Sequence, residues 1–129
     1  MYKRQIIEGE ALLDHERATI SSVYHNRLKK RMKLQADPTI QYLIKSPPKA
    51  LSLRDLKRVS PYNTYLNYGL PPGPINNPGF ESIKAALYPA ETDYLFFVAQ
   101  GDGSHVFTTN EKDHLEAKRL YKKYKRENR

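Results

Sequence analysis

Five of the chain's nine prolines fall between Pro61 and Pro78, and no other stretch restricts the fold as much. Proline fixes φ and carries no backbone donor, so the segment from Ser60 to Gly79 is neither helix interior nor central strand. Each residue before a proline is pushed toward extended geometry, while Gly69, Gly73 and Gly79 can take positive φ between them. The expectation is a long, stiff, irregular loop. Loops of this length are mostly functional or disordered. Tyr62, Tyr65, Tyr68, Leu70 and Ile75 give this one apolar surface to bury, which argues for order. Its residues also suit a sugar, since tyrosine faces pack on pyranose rings while Asn63 and Thr64 bond their OH groups. A proline-rich connector has the same composition.

At 129 residues and 39% hydrophobic content, the chain reads as one domain with one core. No apolar run approaches the roughly 18 residues of a membrane helix, and no signal peptide is visible. Met1 to Arg4 enters a helical pattern without a cap, as a piece of a longer protein would. Cysteine is absent, which excludes disulfides and thiolate metal sites and leaves the compartment open. The formal charge of +8 favours polyanions. Much of it lies in Lys29, Lys30 and Arg31 and in the run from Lys118 to Arg129. The simplest reading is a solvated helix face with a frayed tail; nucleic acid, anionic lipid and anionic cell-wall polymer are the alternatives. The regular basic–aromatic interleaving of a nucleic-acid binder is missing, so nucleic acid is not expected as a partner.

Helical spacing runs from Gln5 to Leu13 and, after Asp14 as a cap with Glu16 in the first turn, through Ile20, Val23, Tyr24 and Leu28 to about Arg31. Met32 to Gln35 reads as extended. Asp37 followed by Pro38 signals a helix start, with the helix running through Ile44. Ser52 and Asp55 form a capping box for a short helix. Asn77 and Pro78 repeat the cap-and-proline start for a helix from Gly79 to Leu87, with Ile83, Ala86 and Leu87 inward. Tyr94 to Ala99 is a strand; Gln100 to Ser104 is a turn, and His105 to Thr108 returns as its hairpin partner. Asn110 caps a final helix whose stripe is Ala117, Leu120, Tyr121 and Tyr124. The fold class is α+β, mainly helical, with a small antiparallel hairpin and the long proline loop.

Two acids sit on the first helix, Glu8 and Glu10. Two residues of helix rotate about 200°, so they cannot face one site. Glu8 is flanked by Arg4, Gln5, Ala11 and Leu12, a mixed and wet surface. Glu10 is flanked by Ile6, Ile7, Leu13 and Asp14, on the apolar stripe. A carboxyl among apolar groups keeps its proton, as a general acid must at neutral pH. A Glu10 at the stripe's edge, reaching water, is the alternative. Asp37 is the obvious second carboxylate, although its place before Pro38 makes capping the simpler role. His15, His25 and His114 stand beside charged residues on helices and read as solvated, whereas His105 opens a strand and can face a cleft. No spacing suggests a metal site, and no phosphate loop or nucleophile elbow is present.

The ordered set Ile6 to Glu10, Asn26 to Leu28, Met32 to Thr39, Pro61 to Tyr65, Gly69 to Ile75, Asn77 to Gly79, Tyr94 to Ala99 and Gly103 to Phe107 resembles the YceG-like endolytic murein transglycosylases, from about Ile6 to Tyr124. The resemblance implies a catalytic domain over residues 1–129 of a longer protein, whose membrane helix and LysM-like domain lie outside this chain. It implies placement at the extracytoplasmic face of a bacterial membrane, peptidoglycan glycan strands as substrate, and synthases of the division or elongation machinery as partners. No cofactor is implied. The reaction would cleave the β-1,4 bond between N-acetylmuramic acid and N-acetylglucosamine, leaving a 1,6-anhydromuramic end. The family's catalytic glutamate matches Glu10. Gln35, Asp37, Thr39, Tyr62, Asn63, Thr64, Tyr65, Pro71, Asn77 and His105 are the substrate-binding candidates, with Asn63 the most specific contact. Gly9 stands where lysine is usual in the family, and Ala11 where a hydroxyl residue is usual. The alternatives are a hydrolase on the same substrate, using Glu10 and Asp37, and a silent peptidoglycan-binding module.

Overall fold

The computed structural model describes residues 3–11, 13–44, 51–76 and 78–128. The order of elements is α1 (Lys3–Glu10), a 3-10 turn (Asp14–Glu16), α2 (Arg17–Lys29), α3 (Asp37–Ile44), α4 (Leu53–Leu56), α5 (Phe80–Leu87), β1 (Phe96–Ala99), β2 (His105–Thr108) and α6 (Glu111–Glu127). This is the mainly helical α+β class that the sequence implies. The strands pair antiparallel with Phe97 opposite Phe107 and Ala99 opposite His105. Gly101 and Gly103 both take positive φ in the connecting turn, which glycine alone adopts readily. The expected strand start at Tyr94 comes two residues early, although Leu95 N–H still bonds Thr108 O at 2.9 Å.

The core joins α1 and α2 to the hairpin and to the segment before α3. Ile6, Ala11, Ile20, Tyr24, Leu34 and Ala36 form it, with Leu28, Ile75, Phe97 and Phe107 against its edge. Helix α1 stops at Glu10 rather than Leu13. Gly9, a poor helix former, lies in its last turn, and Leu13 is extended. Asp14 does not cap α2: it opens the 3-10 turn and bonds Arg17 Nε at 2.9 Å. The capping box of Ser52 and Asp55 has both its bonds, and Asn110 Oδ1 accepts Asp113 N–H at 2.8 Å to cap α6.

Helix α5 differs from expectation in its cap and its face. Asn77 lies outside the described residues, and Gly79 is the residue at the cap. The capping oxygen comes from another helix: Glu8 Oε2 accepts Gly79 N–H at 3.2 Å and the Ser82 hydroxyl, with Arg17 Nη1 at 3.3 Å. Glu8 is therefore a structural anion at a helix N-terminus, not a wet surface acid. The bond from Ser82, then that from Gly79 and the Arg17 charge, hold its carboxyl below the usual range. The buried face of α5 is Ser82 and Ala85, while Leu87 points to solvent. Glu8→Gln is expected to lower stability by about 1 kcal/mol, seen as a lower melting temperature with activity per folded molecule retained.

The proline loop is ordered by its own polar groups. Asn63 has no exposed surface. Its amide donates to Leu56 O at 3.0 Å and Arg58 O at 2.7 Å, and its oxygen accepts Tyr65 N–H at 2.8 Å. Thr64 Oγ1 accepts Ala36 N–H at 2.9 Å and lies 3.0 Å from Thr39 Oγ1, fastening the loop to the start of α3. At its far end Gln5 Oε1 accepts Ile75 N–H, and Gln5 O accepts Asn76 Nδ2 at 2.7 Å.

Candidate active site

One cavity of about 630 Å³ lies where α1, α2, the start of α3, the hairpin and α6 meet. Glu10 is delivered to it as the last residue of α1. Gly9, its neighbour, allows α1 to come close to α3, since a Cβ there would lie 2.6 Å from the Pro38 ring. That approach sets Glu10 beside Asp37. Burial first, and the Asp37 charge second, push the Glu10 carboxyl up to about 7. Hydrogen bonds from the Tyr24 hydroxyl and the Asp37 backbone oppose the rise without cancelling it.

Tyr24 is buried on α2 and donates to Glu10 Oε1 at 2.9 Å. Burial and the neighbouring Glu10 raise its own ionisation well above the usual tyrosine range, so its hydroxyl stays a donor. Its ring meets Phe97 edge-on with centroids 5.9 Å apart. The Glu10 carboxyl thus lines the cavity while it accepts the Tyr24 hydroxyl through Oε1 and is also hydrogen-bonded by the Asp37 backbone. Sequence periodicity placed Tyr24 on the apolar stripe and missed this bond; the available signal was that a buried tyrosine needs a partner for its hydroxyl. Tyr24→Phe removes a donor that favours the carboxylate, so the midpoint of Glu10 is expected to rise further. The check is the pH–rate profile, whose Glu10-dependent limb should move to higher pH.

Asp37 is the first residue of α3 itself, one residue past the cap position, and its carboxylate accepts the Tyr65 hydroxyl. Burial and the Asp37 charge raise the Tyr65 ionisation far above the ordinary tyrosine value. Gln35, also lining the cavity, holds a φ of 49°, the left-handed region that non-glycine residues seldom occupy. His105 lines the cavity as well, with its ring nitrogen Nδ1 2.9 Å from Glu16 Oε1 and its backbone N–H donating to Glu16 Oε2 at 3.0 Å. The buried Glu16 thus orients the hairpin and is no free helix-end charge.

Gln35, Asp37, Tyr65 and His105 therefore share the cavity with Glu10. Several other candidates do not. Asn63 and Thr64 are buried with their polar groups committed to backbone and to Thr39. Thr39 is itself buried, its hydroxyl donating to Ala36 O at 2.7 Å. Tyr62 packs against Tyr42, ring centroids 5.0 Å apart, and its hydroxyl lies against Gly73. Pro71 is buried away from the cavity lining. Asn77 lies outside the described residues. Asn63 is thus buried with its amide committed to the loop backbone, and of the described loop residues Tyr65 is the one that lines the cavity.

The Asn26 to Leu28 motif also acquires a physical role. Asn26 Nδ2 donates to Thr92 O and Tyr94 O at 2.8 and 3.0 Å. Arg27 donates from Nε to Leu95 O at 2.6 Å and from Nη1 to Lys33 O at 2.9 Å, and lies 5.0 Å over the Phe96 ring. These bonds clamp the hairpin and the Lys33–Leu34 segment to α2, framing the cavity. His114 is not a solvated residue: it is half-buried, stacked on Phe96 at 4.8 Å, and lines the same space. Among the described residues no three metal-ligating side chains cluster, and no helix is long and apolar enough to cross a membrane.

A family model described as YceG-like matches residues 5–120. An endolytic murein transglycosylase of Bacillus subtilis (strain 168) is 49% identical over 116 residues, covering 90% of this chain and 32% of that protein. One from Streptococcus pneumoniae serotype 2 (strain D39) is 33% identical over 115 residues, covering 84% and 21%. A crystal structure of a YceG-like protein from Listeria monocytogenes matches with a TM-score of 0.83 at 44% identity, covering 89% of this chain and 37% of that one. The chain spans about a third of the length of the Bacillus relative and about a fifth of the pneumococcal one.

Proposed function

This chain belongs to the YceG-like family, and from that premise we propose that it is the catalytic part of an endolytic peptidoglycan lytic transglycosylase with Glu10 as its single acid–base residue. The observation that carries the proposal is a carboxyl at the wall of a glycan-sized cavity, held by Tyr24 and raised to about 7. Such a group is substantially protonated at neutral pH and can also act as a base once it has given up its proton.

The chemistry balances with one carboxyl. The Glu10 carboxyl protonates the leaving glycosidic oxygen as its bond to muramic C1 breaks. The C6 hydroxyl of the same sugar attacks C1, and the Glu10 carboxylate takes the hydroxyl proton. One C–O bond is lost, one is formed, and Glu10 ends protonated with no water consumed. The internal nucleophile replaces the second carboxylate of most glycosidases, and its attack is effectively unimolecular. Gln35, Asp37, Tyr65 and His105 would contact the strand. Membrane anchoring in the full-length protein and association with peptidoglycan synthases follow from family membership and belong to the same proposal.

Asp37, close enough to raise Glu10, favours one rival: a hydrolase in which Asp37 activates water. Turnover of purified glycan strands in ¹⁸O-labelled water separates the two. The transglycosylase yields unlabelled 1,6-anhydromuramic ends; labelled reducing ends, with turnover abolished in a stably folded Asp37→Asn protein, would establish the hydrolase.

A further inference from the structure

Helix α6 sends His114, Lys118 and Tyr121 into the wall of the Glu10 cavity. Lys125 continues the row, its Nζ 5.5 Å over the Tyr121 ring. Spacings of four, three and four residues put all of them on one helix face. The row therefore leads from the reacting centre to the protein surface.

Its charge is uncompensated. Neither Lys118 nor Lys125 has an ion-pair partner among the described residues. The nearby acids of the helix are engaged elsewhere: Glu116 with Arg119 at 2.6 Å, and Asp113 with the Asn110 cap. The other cation of the cavity, Arg27, is spent on backbone carbonyls and the Phe96 ring. The sugars of a peptidoglycan strand carry no charge of their own; its carboxylates are on the peptide stems joined to the muramoyl lactyl groups. A cationic row that starts beside the cleaved muramoyl residue complements those carboxylates.

We propose that the Lys118–Tyr121–Lys125 face of α6 is a binding site for the carboxylate-bearing peptide stem of the muramoyl residue held beside Glu10. The site makes the protein discriminate between strands with and without stems. It rests on the reading of the cavity as a glycan site. Exposed ion pairs are individually weak and salt-sensitive, so the preference is a modest one and fades with ionic strength.

The test is equilibrium binding, by fluorescence anisotropy, of end-labelled soluble strands with intact stems and of the same strands stripped by an amidase, their exposed lactyl carboxylates then capped as neutral methylamides. The parent chain is expected to bind stem-bearing strands about tenfold more tightly at low salt, and Lys118→Gln/Lys125→Gln to reduce that ratio to about twofold. A ratio unchanged by the substitutions, or no preference in the parent, overturns the stem site. A phosphodiester wall polymer that competes off both kinds of strand equally, through the same lysines, also overturns it, because the face would then be a phosphate site. Failure to bind stripped strands at all would sink the glycan reading instead, so the two failures are distinguishable.

Discussion

Glu10→Gln is expected to lower turnover of glycan strands by about 10²- to 10⁴-fold, the span of a lost general acid–base group. The amide keeps the shape and can still accept the Tyr24 hydroxyl bond, but has no proton to give. Stability should move the other way. A carboxyl that holds its proton more tightly in the fold than in the unfolded chain favours folding at low pH. That advantage is lost as pH rises from about 4.5 to about 7. At pH 8 the parent therefore carries an unfavourable, half-buried charge that the glutamine variant lacks. The variant should melt higher there, by up to about 3 kcal/mol at about 1.4 kcal/mol per tenfold change in proton affinity, and the difference should shrink toward pH 5. Calorimetry at the two pH values measures it. A variant that melts lower at both would mean that Glu10 is held as a paired structural carboxylate.

Asn63→Ala is expected to have the largest effect on stability. The substitution leaves Leu56 O and Arg58 O without their donor and Tyr65 N–H without its acceptor, in a site with no exposed surface. At roughly 1 kcal/mol for each of the three part-buried hydrogen bonds lost, the cost is about 3 kcal/mol. That corresponds to a fall of about 10 °C in melting temperature for a domain of this size. Activity per folded molecule should change only through Tyr65, which the Asn63 turn presents to Asp37. Unchanged melting with a tenfold or greater loss in kcat/KM would restore Asn63 as a ligand contact.

These two residues also mark where sequence reasoning reaches and where it stops. Glu10 was legible because a helix repeats at fixed angles, so its neighbours Ile6 and Ile7 declare its face. The caps of α4 and α6 were legible because their partners lie three residues away. Asn63 was ambiguous on the same page: an amide suits a sugar and a turn equally well, and only the carbonyls of Leu56 and Arg58 decide between them. Tyr24, Glu16 and Glu8 were missed for one reason. Their partners, Glu10, His105 and Gly79, sit 14, 89 and 71 residues away in sequence, and local periodicity contains no record of which elements meet. The capping role expected of Asp14 is taken by no side chain: the 3-10 turn puts Glu16 at the cap position of α2, and Asp14 bonds Arg17 three residues on instead. The His114, Lys118 and Tyr121 row carried a readable spacing, but the helix's strong charge concealed that one side of it faces a cavity.

The central claim is that this fold holds one carboxyl ready to serve as both acid and base, and its proton can be watched directly. In protein labelled with ¹³C at glutamate carboxyls, with Glu10→Gln identifying the resonance, the Glu10 signal should titrate with a midpoint of about 7, moving higher in Tyr24→Phe. A midpoint near 4.5, the ordinary glutamate value, unmoved by the Tyr24 substitution, would contradict the account.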